Sequence, residues 1–345
     1  MITKSRRGAA PSFGEDCGMK LFIFEAAYRR LEAEIHAICP AVEPYLMAAD
    51  GTITLHGKPL ASEDVTPEIA WISTDLFFQG PSRDFLRFVL KCDSLKWIQS
   101  GAAGFDNPIF QALGSKPGVI YTNSTGAGKS IAEFVMGAVL NYFQPHTARR
   151  DSQRRHEWKR YGFRDVAETN WLIYGYGNIG SEVGKRARAF EAHVTGVRRN
   201  PTGEENADRM IRPDALYDNL PQMDVVVLAA ASNEDNRHIV DARFLAAMKP
   251  TSVLVNVGRG ALVDEVALLA SLDKGRPEQA ILDVFETEPL PGDSPLWDHP
   301  RVHVSAHASA SSPMTGPRGD EVFLRNFRRY VLGDEVELQV RFEKP

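Results

Sequence analysis

The run Trp171-Leu-Ile-Tyr-Gly-Tyr-Gly-Asn-Ile-Gly180 constrains the fold of this chain more than any other segment. Large apolar residues lead into Gly175, and Gly177 and Gly180 complete the spacing G-x-G-x-x-G. A helical pattern over 181–190 comes next, then a second strand-like run over 193–197. This is the strand–turn–helix–strand context in which a helix N-terminus receives a dinucleotide pyrophosphate. In it Gly175 permits a sharp turn, Gly177 permits backbone to approach the phosphates, and Gly180 permits close helix–strand packing. Asn178 and Ile179 complete the expected cofactor loop.

At 345 residues the chain exceeds one ordinary core, so two domains are expected. Its 43% hydrophobic and 25% charged residues fit a soluble globular protein. A net charge of −5 argues against a nucleic-acid surface. The basic stretch 149–160 is the exception and reads as a solvated or inter-subunit helix. Cys17, Cys39 and Cys92 are scattered and lack C-x-x-C spacing. That pattern suits a reducing, cytoplasmic setting with no structural disulfide, and no metal site is expected. No apolar run reaches the ~18 residues of a membrane span. Residues 1–18 hold Arg6 and Arg7 but no apolar core, so they read as a loose tail rather than a secretory signal.

The first third alternates strand patterns (20–24, 69–73, 95–99, 119–122) with helix patterns (26–38, 82–91, 108–113), which implies a parallel sheet flanked by helices. A long apolar helix pattern occupies 129–142. From Trp171 onward six strands are expected, at 172–174, 193–197, 224–229, 252–257, 279–284 and 302–305, the number of a doubly wound dinucleotide fold. A last helix pattern, 319–332, returns the chain to its first domain.

Ligands of open α/β sheets bind beyond the carboxyl ends of strands. Three functional side chains fall there: Arg259 in Asn256-Val-Gly-Arg-Gly260, Glu288 in Asp283-Val-Phe-Glu-Thr-Glu-Pro289, and His307 in Val304-Ser-Ala-His307. Each alone is an ordinary loop residue. Together they place a guanidinium, an acid and an imidazole at successive strand ends beside a nicotinamide-type fold. Hydride transfer puts negative charge on a carbonyl oxygen, and a fixed guanidinium with an imidazolium stabilises it. A 2-keto acid also needs its carboxylate clamped, which Arg does in bidentate fashion.

These motifs, with Ser100-Gly-Ala-Ala-Gly-Phe-Asp106, the 123–133 segment ending Ala132-Glu133, and Met248-Lys-Pro250, resemble the D-isomer-specific 2-hydroxyacid dehydrogenases over roughly 95–310. Trp297 in Ser294-Pro-Leu-Trp297 resembles a position in the glyoxylate/hydroxypyruvate reductases among them. The resemblance implies an α/β fold of two doubly wound parallel-sheet domains. A Rossmann cofactor domain (126–308) is inserted into a flavodoxin-like substrate domain (19–125 and 309–345). It implies that Arg259 holds the substrate and polarises its carbonyl, that His307 is the acid–base, and that Glu288 orients the ring and favours its protonated form. Glu288 is preferred to Glu286 because the family's acid directly precedes Pro, and His307 to His303 because the latter lies within a strand. It further implies that backbone N–H groups at Ala102, Ala103 and Gly104 cradle the carboxylate, that Asp283 binds the nicotinamide carboxamide, and that the chain forms a homodimer. The chain departs from the usual pattern at Asp165–Trp171, which lacks Gly-Lys, and at Ala229-Ala-Ala231 and Ser124-Thr-Gly-Ala-Gly128.

An acid at the end of the second cofactor-domain strand normally binds the ribose of NAD. Here that place holds Arg198 and Arg199, a pair suited to a 2′-phosphate, so NADP(H) is the expected cofactor, with NAD still possible. The expected activity is reduction of a small 2-keto acid by NADPH. Two other uses of the scaffold stay open: a non-catalytic nucleotide-sensing regulator, and a formate- or phosphite-type dehydrogenase.

Overall fold

The computed structural model describes residues 18–104, 107–203 and 205–340. The expected loose tail therefore lies outside the described residues except for Gly18, as do Phe105 and Asp106 of the expected carboxylate loop. The chain divides into two compact units: one holds the residues up to Ala103, Asn107–Ser124 and those from Gly316, and the other holds Gly104–Asp106 and Thr125–Thr315.

The first unit is built on strands β1 (Lys20–Phe24), β2 (Glu43–Met47), β3 (Ile53–Leu55), β4 (Lys58–Leu60), β5 (Ile69–Ile72), β6 (Trp97–Ser100) and β7 (Ile120–Thr122). Their order is β4-β3-β2-β1-β5-β6-β7. The five parallel members follow the flavodoxin order, and the antiparallel β3–β4 hairpin extends one edge. Helix Glu25–Ile38 forms because Ala27, Leu31, Ile35 and Ile38 recur on one face, and that face is buried. The last helix, Thr315–Val331, belongs to this sheet because of its aromatic residues. Phe323 stacks on Trp71 with ring centroids 4.9 Å apart, and Tyr330 stacks on Trp97 at 5.1 Å. Asn326, fully buried in the same helix, donates to Gln99 Oε1 and to the Glu337 carbonyl and accepts from the Glu337 N–H. A buried amide is stable only when so satisfied.

Three strands of this unit lack the pattern that marks the others. β2 carries Pro44 within it, and β3 and β4 have three residues each, joined through His56 and Gly57 at φ 49° and 74°. The absence of a structural disulfide is corrected at Cys39, which is disulfide-bonded, while Cys92 is a buried free thiol. The cysteines therefore give no argument for a reducing compartment. No helix among the described residues is long and apolar enough to cross a membrane.

The second unit holds seven parallel strands: β8 (Asn170–Tyr174), β9 (His193–Val197), β10 (Arg209–Ile211), β11 (Val225–Leu228), β12 (Val253–Asn256), β13 (Gln279–Leu282) and β14 (Val302–Val304). Their order, β10-β9-β8-β11-β12-β13-β14, is the 3-2-1-4-5-6 Rossmann order with one further strand. The unexpected member is β10, an edge strand of three residues paired with β9. Alternate residues feed two cores. Trp171, Ile173, Val225, Val227, Val253 and Val255 face helices Gly128–Phe143 and Asn178–Ala189, whereas Leu172, Val226, Leu228, Leu254 and Leu282 face the opposite layer. Burial on both faces explains the continuous apolar runs, and each such side chain contributes about 1.5–3 kcal/mol. The basic stretch becomes helix only as far as Arg154, after which Trp158 is 96% exposed.

The three glycines after β8 have three different reasons to be glycine. Gly175 has φ 95°, and a Cβ there would stand 2.5 Å from the Ala230 nitrogen. A Cβ on Gly180 would stand 2.2 Å from the Gly175 carbonyl oxygen. A Cβ on Gly177 would meet no atom within 4 Å, so that side of the loop is open. Gly180→Ala is therefore expected to overpack the helix–strand contact by roughly 1–3 kcal/mol and lower Tm by several degrees. Gly177→Ala should leave Tm nearly unchanged. Thermal unfolding of both variants checks this, and equal melting behaviour would refute the distinction.

Candidate active site

Parallel register brings the carboxyl ends of the strands level. Tyr174 pairs with Leu228, Leu228 with Asn256, Asn256 with Leu282, and Leu282 with Val304. Gly175 follows the first of these ends by one residue, Arg259 and His307 follow theirs by three, and Glu288 follows its own by six. All four groups therefore rise from one edge of one sheet.

Arg259 is held by its neighbours rather than left as a surface turn. Asn256, fully buried at the end of β12, donates from Nδ2 to the Arg259 carbonyl at 2.9 Å and accepts the Gly258 N–H at 3.1 Å. The flanking glycines are sterically required. A Cβ on Gly258 would stand 2.6 Å from the Ala230 oxygen, and one on Gly260 would stand 1.8 Å from the Phe285 carbonyl carbon. The half-buried guanidinium donates from Nη1 to the Gly258 carbonyl at 2.7 Å. A guanidinium carries five N–H donors in a planar fork.

His307 and Glu288 form a pair. His307 Nδ1 donates to Glu288 Oε2 at 2.7 Å, and Glu288 Oε1 accepts the Phe285 N–H at 3.0 Å. This uses both carboxylate oxygens and directs the ring's Nε2 away from the acid. The pair is half exposed, 53% for the imidazole and 35% for the carboxylate, so substrate can reach it. His307 sits at φ 49°, and its N–H donates to the Asp283 carbonyl at 2.8 Å. Glu286, the competing acid, binds Arg237 at 3.2 Å and His238 instead. Its N–H donates to Glu265 Oε1 at 2.8 Å, and burial pushes that Glu265 carboxyl up. The loop bearing Glu288 is thus fastened one side chain away from the pair. His303 lies within β14.

Asp283 is 1% exposed. Its Oδ1 accepts the Ser305 hydroxyl at 2.6 Å and the Ala308 N–H at 2.8 Å; Oδ2 accepts the Ser309 hydroxyl, and the Ser309 N–H reaches both oxygens at 3.2 Å. A carboxylate has about four acceptor positions. Asp283 therefore shapes the turn that carries His307, and a nicotinamide carboxamide would have to displace one of these donors. Sequence reasoning missed this role, although Ser305 and Ser309 spaced around His307 were visible.

The cofactor loop fits a pyrophosphate. Gly177 presents its open side at the N-terminus of a 12-residue helix, Asn178–Ala189. Asn178 Nδ2 donates to the Thr125 carbonyl at 3.2 Å, and Ile179 packs on the core, so both contribute chiefly backbone to the loop. Tyr176, unremarked in the sequence, is 2% exposed and donates its hydroxyl to the Asn206 carbonyl at 2.6 Å. Arg198 Nη1 lies 3.3 Å from Glu205, and Arg199 Nη1 lies 3.8 Å from the exposed Asp235. In the first unit the Ala102 N–H is committed to Ser100 Oγ at 3.1 Å, which removes it as a donor from the expected cradle. The Ala102 and Ala103 carbonyls accept from the Ser124 N–H and Asn123 Nδ2 at 3.1 Å each. Trp297 is 46% exposed, with its indole N–H donating to the Pro291 carbonyl at 2.8 Å. Among the described residues no group of three or more His, Cys, Asp or Glu is placed to hold a metal.

Residues 136–309 match the family model described as "D-isomer specific 2-hydroxyacid dehydrogenase, NAD binding domain". The chain is 32% identical to glyoxylate/hydroxypyruvate reductase B of Citrobacter koseri, over 65% of this chain and 71% of that one. It is 31% identical to 4-methyl-2-oxopentanoate reductase A of Aspergillus oryzae, over 75% and 78%. The D-3-phosphoglycerate dehydrogenases it also matches are longer; the match spans 48% of the Methanocaldococcus jannaschii protein. Its fold resembles that of a D-isomer specific 2-hydroxyacid dehydrogenase from Xanthobacter autotrophicus Py2 solved with NADPH and MES, at TM-score 0.73 and 27% identity, covering 94% of this chain and 98% of that one. The strand order, the glycine loop, the arginine, acid and histidine at level strand ends, and these matches agree: the chain belongs to the D-isomer specific 2-hydroxyacid dehydrogenase family, whose members are NAD(P)-dependent oxidoreductases.

Proposed function

We propose that this chain reduces a small 2-keto acid, of the glyoxylate or hydroxypyruvate type, to the D-2-hydroxy acid with NADPH. The observation that carries the reading is the 2.7 Å His307–Glu288 pair, raised from the same sheet edge as Arg259 and the open face of Gly177. When bound, the dihydronicotinamide supplies a hydride to the carbonyl carbon. Arg259 binds the substrate and stabilises the charge growing on the carbonyl oxygen. The His307 imidazolium, its Nδ1 held by Glu288, gives the Nε2 proton to that oxygen, and the 2-hydroxy acid results. In the oxidative direction neutral His307 takes the proton back. Asp283 acts from below by holding the His307 turn.

Support for the substrate class comes from the named activity of the Citrobacter relative. Support for NADPH comes from Arg198 and Arg199 at the end of β9 and from the Xanthobacter complex. The Aspergillus relative keeps a branched 2-keto acid in the test panel.

Purified protein should oxidise NADPH with glyoxylate, hydroxypyruvate or a larger 2-keto acid. Nucleotide binding without turnover across a broad panel would favour the regulator reading instead.

Arg259→Lys keeps the charge but loses the planar fork. Weaker keto-acid binding and slower turnover are expected, with nucleotide Kd little changed. Unaltered kinetics would return Arg259 to the status of a turn residue.

Reduction consumes a proton, which His307 is proposed to give from Nε2. Glu288→Gln removes the ionised acceptor that holds His307 Nδ1 and should lower kcat, with nucleotide Kd little changed. His307→Ala should cost on the order of 10²-fold or more in kcat. A kcat unmoved by Glu288→Gln would show that the pair has no part in proton transfer.

A further inference from the structure

The loop after β9 contains an anion site, and its occupant is the chain's own Glu205. Glu205 Oε1 accepts the Thr202 N–H at 2.7 Å, and Oε2 accepts the Gly203 N–H at 2.8 Å. Arg198 Nη1 approaches Oε1 to 3.3 Å. The carboxylate is 6% exposed, whereas the guanidinium is 45% exposed. Hydrogen bonding, first from the Thr202 N–H, holds the Glu205 carboxyl down to about 2, so it is charged throughout the working pH range.

The surroundings fix this arrangement. Tyr176, from the cofactor loop itself, donates to the Asn206 carbonyl at 2.6 Å, one residue past Glu205. Tyr176 is seated where Gly184 and Gly196 leave room: Cβ atoms there would stand 2.2 Å from its hydroxyl and 2.7 Å from its Cδ2. Asp208 binds Arg188 Nε at 3.0 Å and accepts the Val194 N–H at 2.8 Å. Just beyond Glu205 the loop is therefore tied to the cofactor loop, to β9 and to the cofactor helix.

We infer that Glu205 is the cofactor-selecting acid of this chain: it contests Arg198 with a 2′-phosphate and offers the acceptor that an unphosphorylated ribose requires. The inference rests on the proposed role of Arg198 as the 2′-phosphate ligand. Arg198 follows directly on β9, and the Gly175 and Tyr176 N–H groups donate to the carbonyl of its neighbour Val197, so it borders the cofactor loop. A guanidinium has enough donors for two anions, but the second must enter beside a fixed negative charge. NADPH then gains from Arg198 and loses to Glu205. NADH gives its 2′-hydroxyl hydrogen bond to Glu205 and leaves Arg198 neutralised. The expected enzyme uses both cofactors, with the NADPH preference muted.

The test compares kcat/KM for NADPH and NADH, at one pH and ionic strength, in wild type, Glu205→Gln and Arg198→Gln. Kd values for adenosine 2′,5′-bisphosphate and 5′-AMP accompany them. Glu205→Gln removes the charge and keeps an acceptor oxygen for one of the two loop N–H groups. It should raise kcat/KM for NADPH and tighten the bisphosphate roughly tenfold, about one charge-assisted hydrogen bond at a half-exposed site, while NADH weakens. Arg198→Gln leaves the carboxylate alone and should reverse the preference toward NADH rather than merely level it. If Arg198→Gln weakens the bisphosphate but only levels the preference, and Glu205→Gln changes neither cofactor, the role of Glu205 is wrong and that of Arg198 stands. A parallel loss of both cofactors in Glu205→Gln makes the residue a loop support and overturns the inference. If Arg198→Gln leaves the bisphosphate untouched, the arginine reading itself fails.

Discussion

A charged carboxylate enclosed in protein has to find donors, and Asp283 finds all of its donors in the segment that carries His307. The chain leaves β13, buries Asp283, and must bend residues 305–309 around it so that two hydroxyls and two backbone N–H groups converge on two oxygens. The bend puts His307 in the left-handed region and aims its ring at Glu288. Each donor left unpaired by loss of the carboxylate would cost about 1–3 kcal/mol, so geometry and stability are coupled at this residue. The His307–Glu288 pair inherits its geometry from a buried carboxylate that touches neither the imidazole nor the acid.

The second constraint is the parallel register. Strands buried on both faces must align their apolar runs, and here the alignment leaves Tyr174, Leu228, Asn256, Leu282 and Val304 level. The polar residues that follow are then presented together, whatever their separation in sequence. Glycine does the fine adjustment. At Gly258 and Gly260 the backbone passes so close to Ala230 and Phe285 that a side chain is excluded, and Arg259 is the one side chain that projects between them.

Legibility in the sequence followed the strength of local pattern. The long helices and central strands were readable because their burial is periodic or continuous, and the helix pattern at 82–91 coincides with the observed Ser82–Lys91. β2 was not readable, because Pro44 is a strand breaker except where its missing N–H faces no partner. β10 has three residues and exists only by pairing with β9. Among site residues, Arg259, Glu288 and His307 could be found because motif and strand end coincide. Asp283, Tyr176 and Glu205 act through contacts that only folding creates. Glu205 stands seven residues beyond Arg198, and no strand-end rule points to it. The two arginines implied a 2′-phosphate site; the chain folded an acid back onto the first of them.

In the proposed reaction, the sheet edge bearing Arg259, Glu288 and His307 directs a hydride from a nicotinamide to the carbonyl carbon of a 2-keto acid. Turnover of hydroxypyruvate with NADPH deuterated at the transferred C4 position, followed by product analysis, reads this transfer. The expected product is D-glycerate with deuterium bound at C2. Product without deuterium at C2, or the L enantiomer, would contradict it.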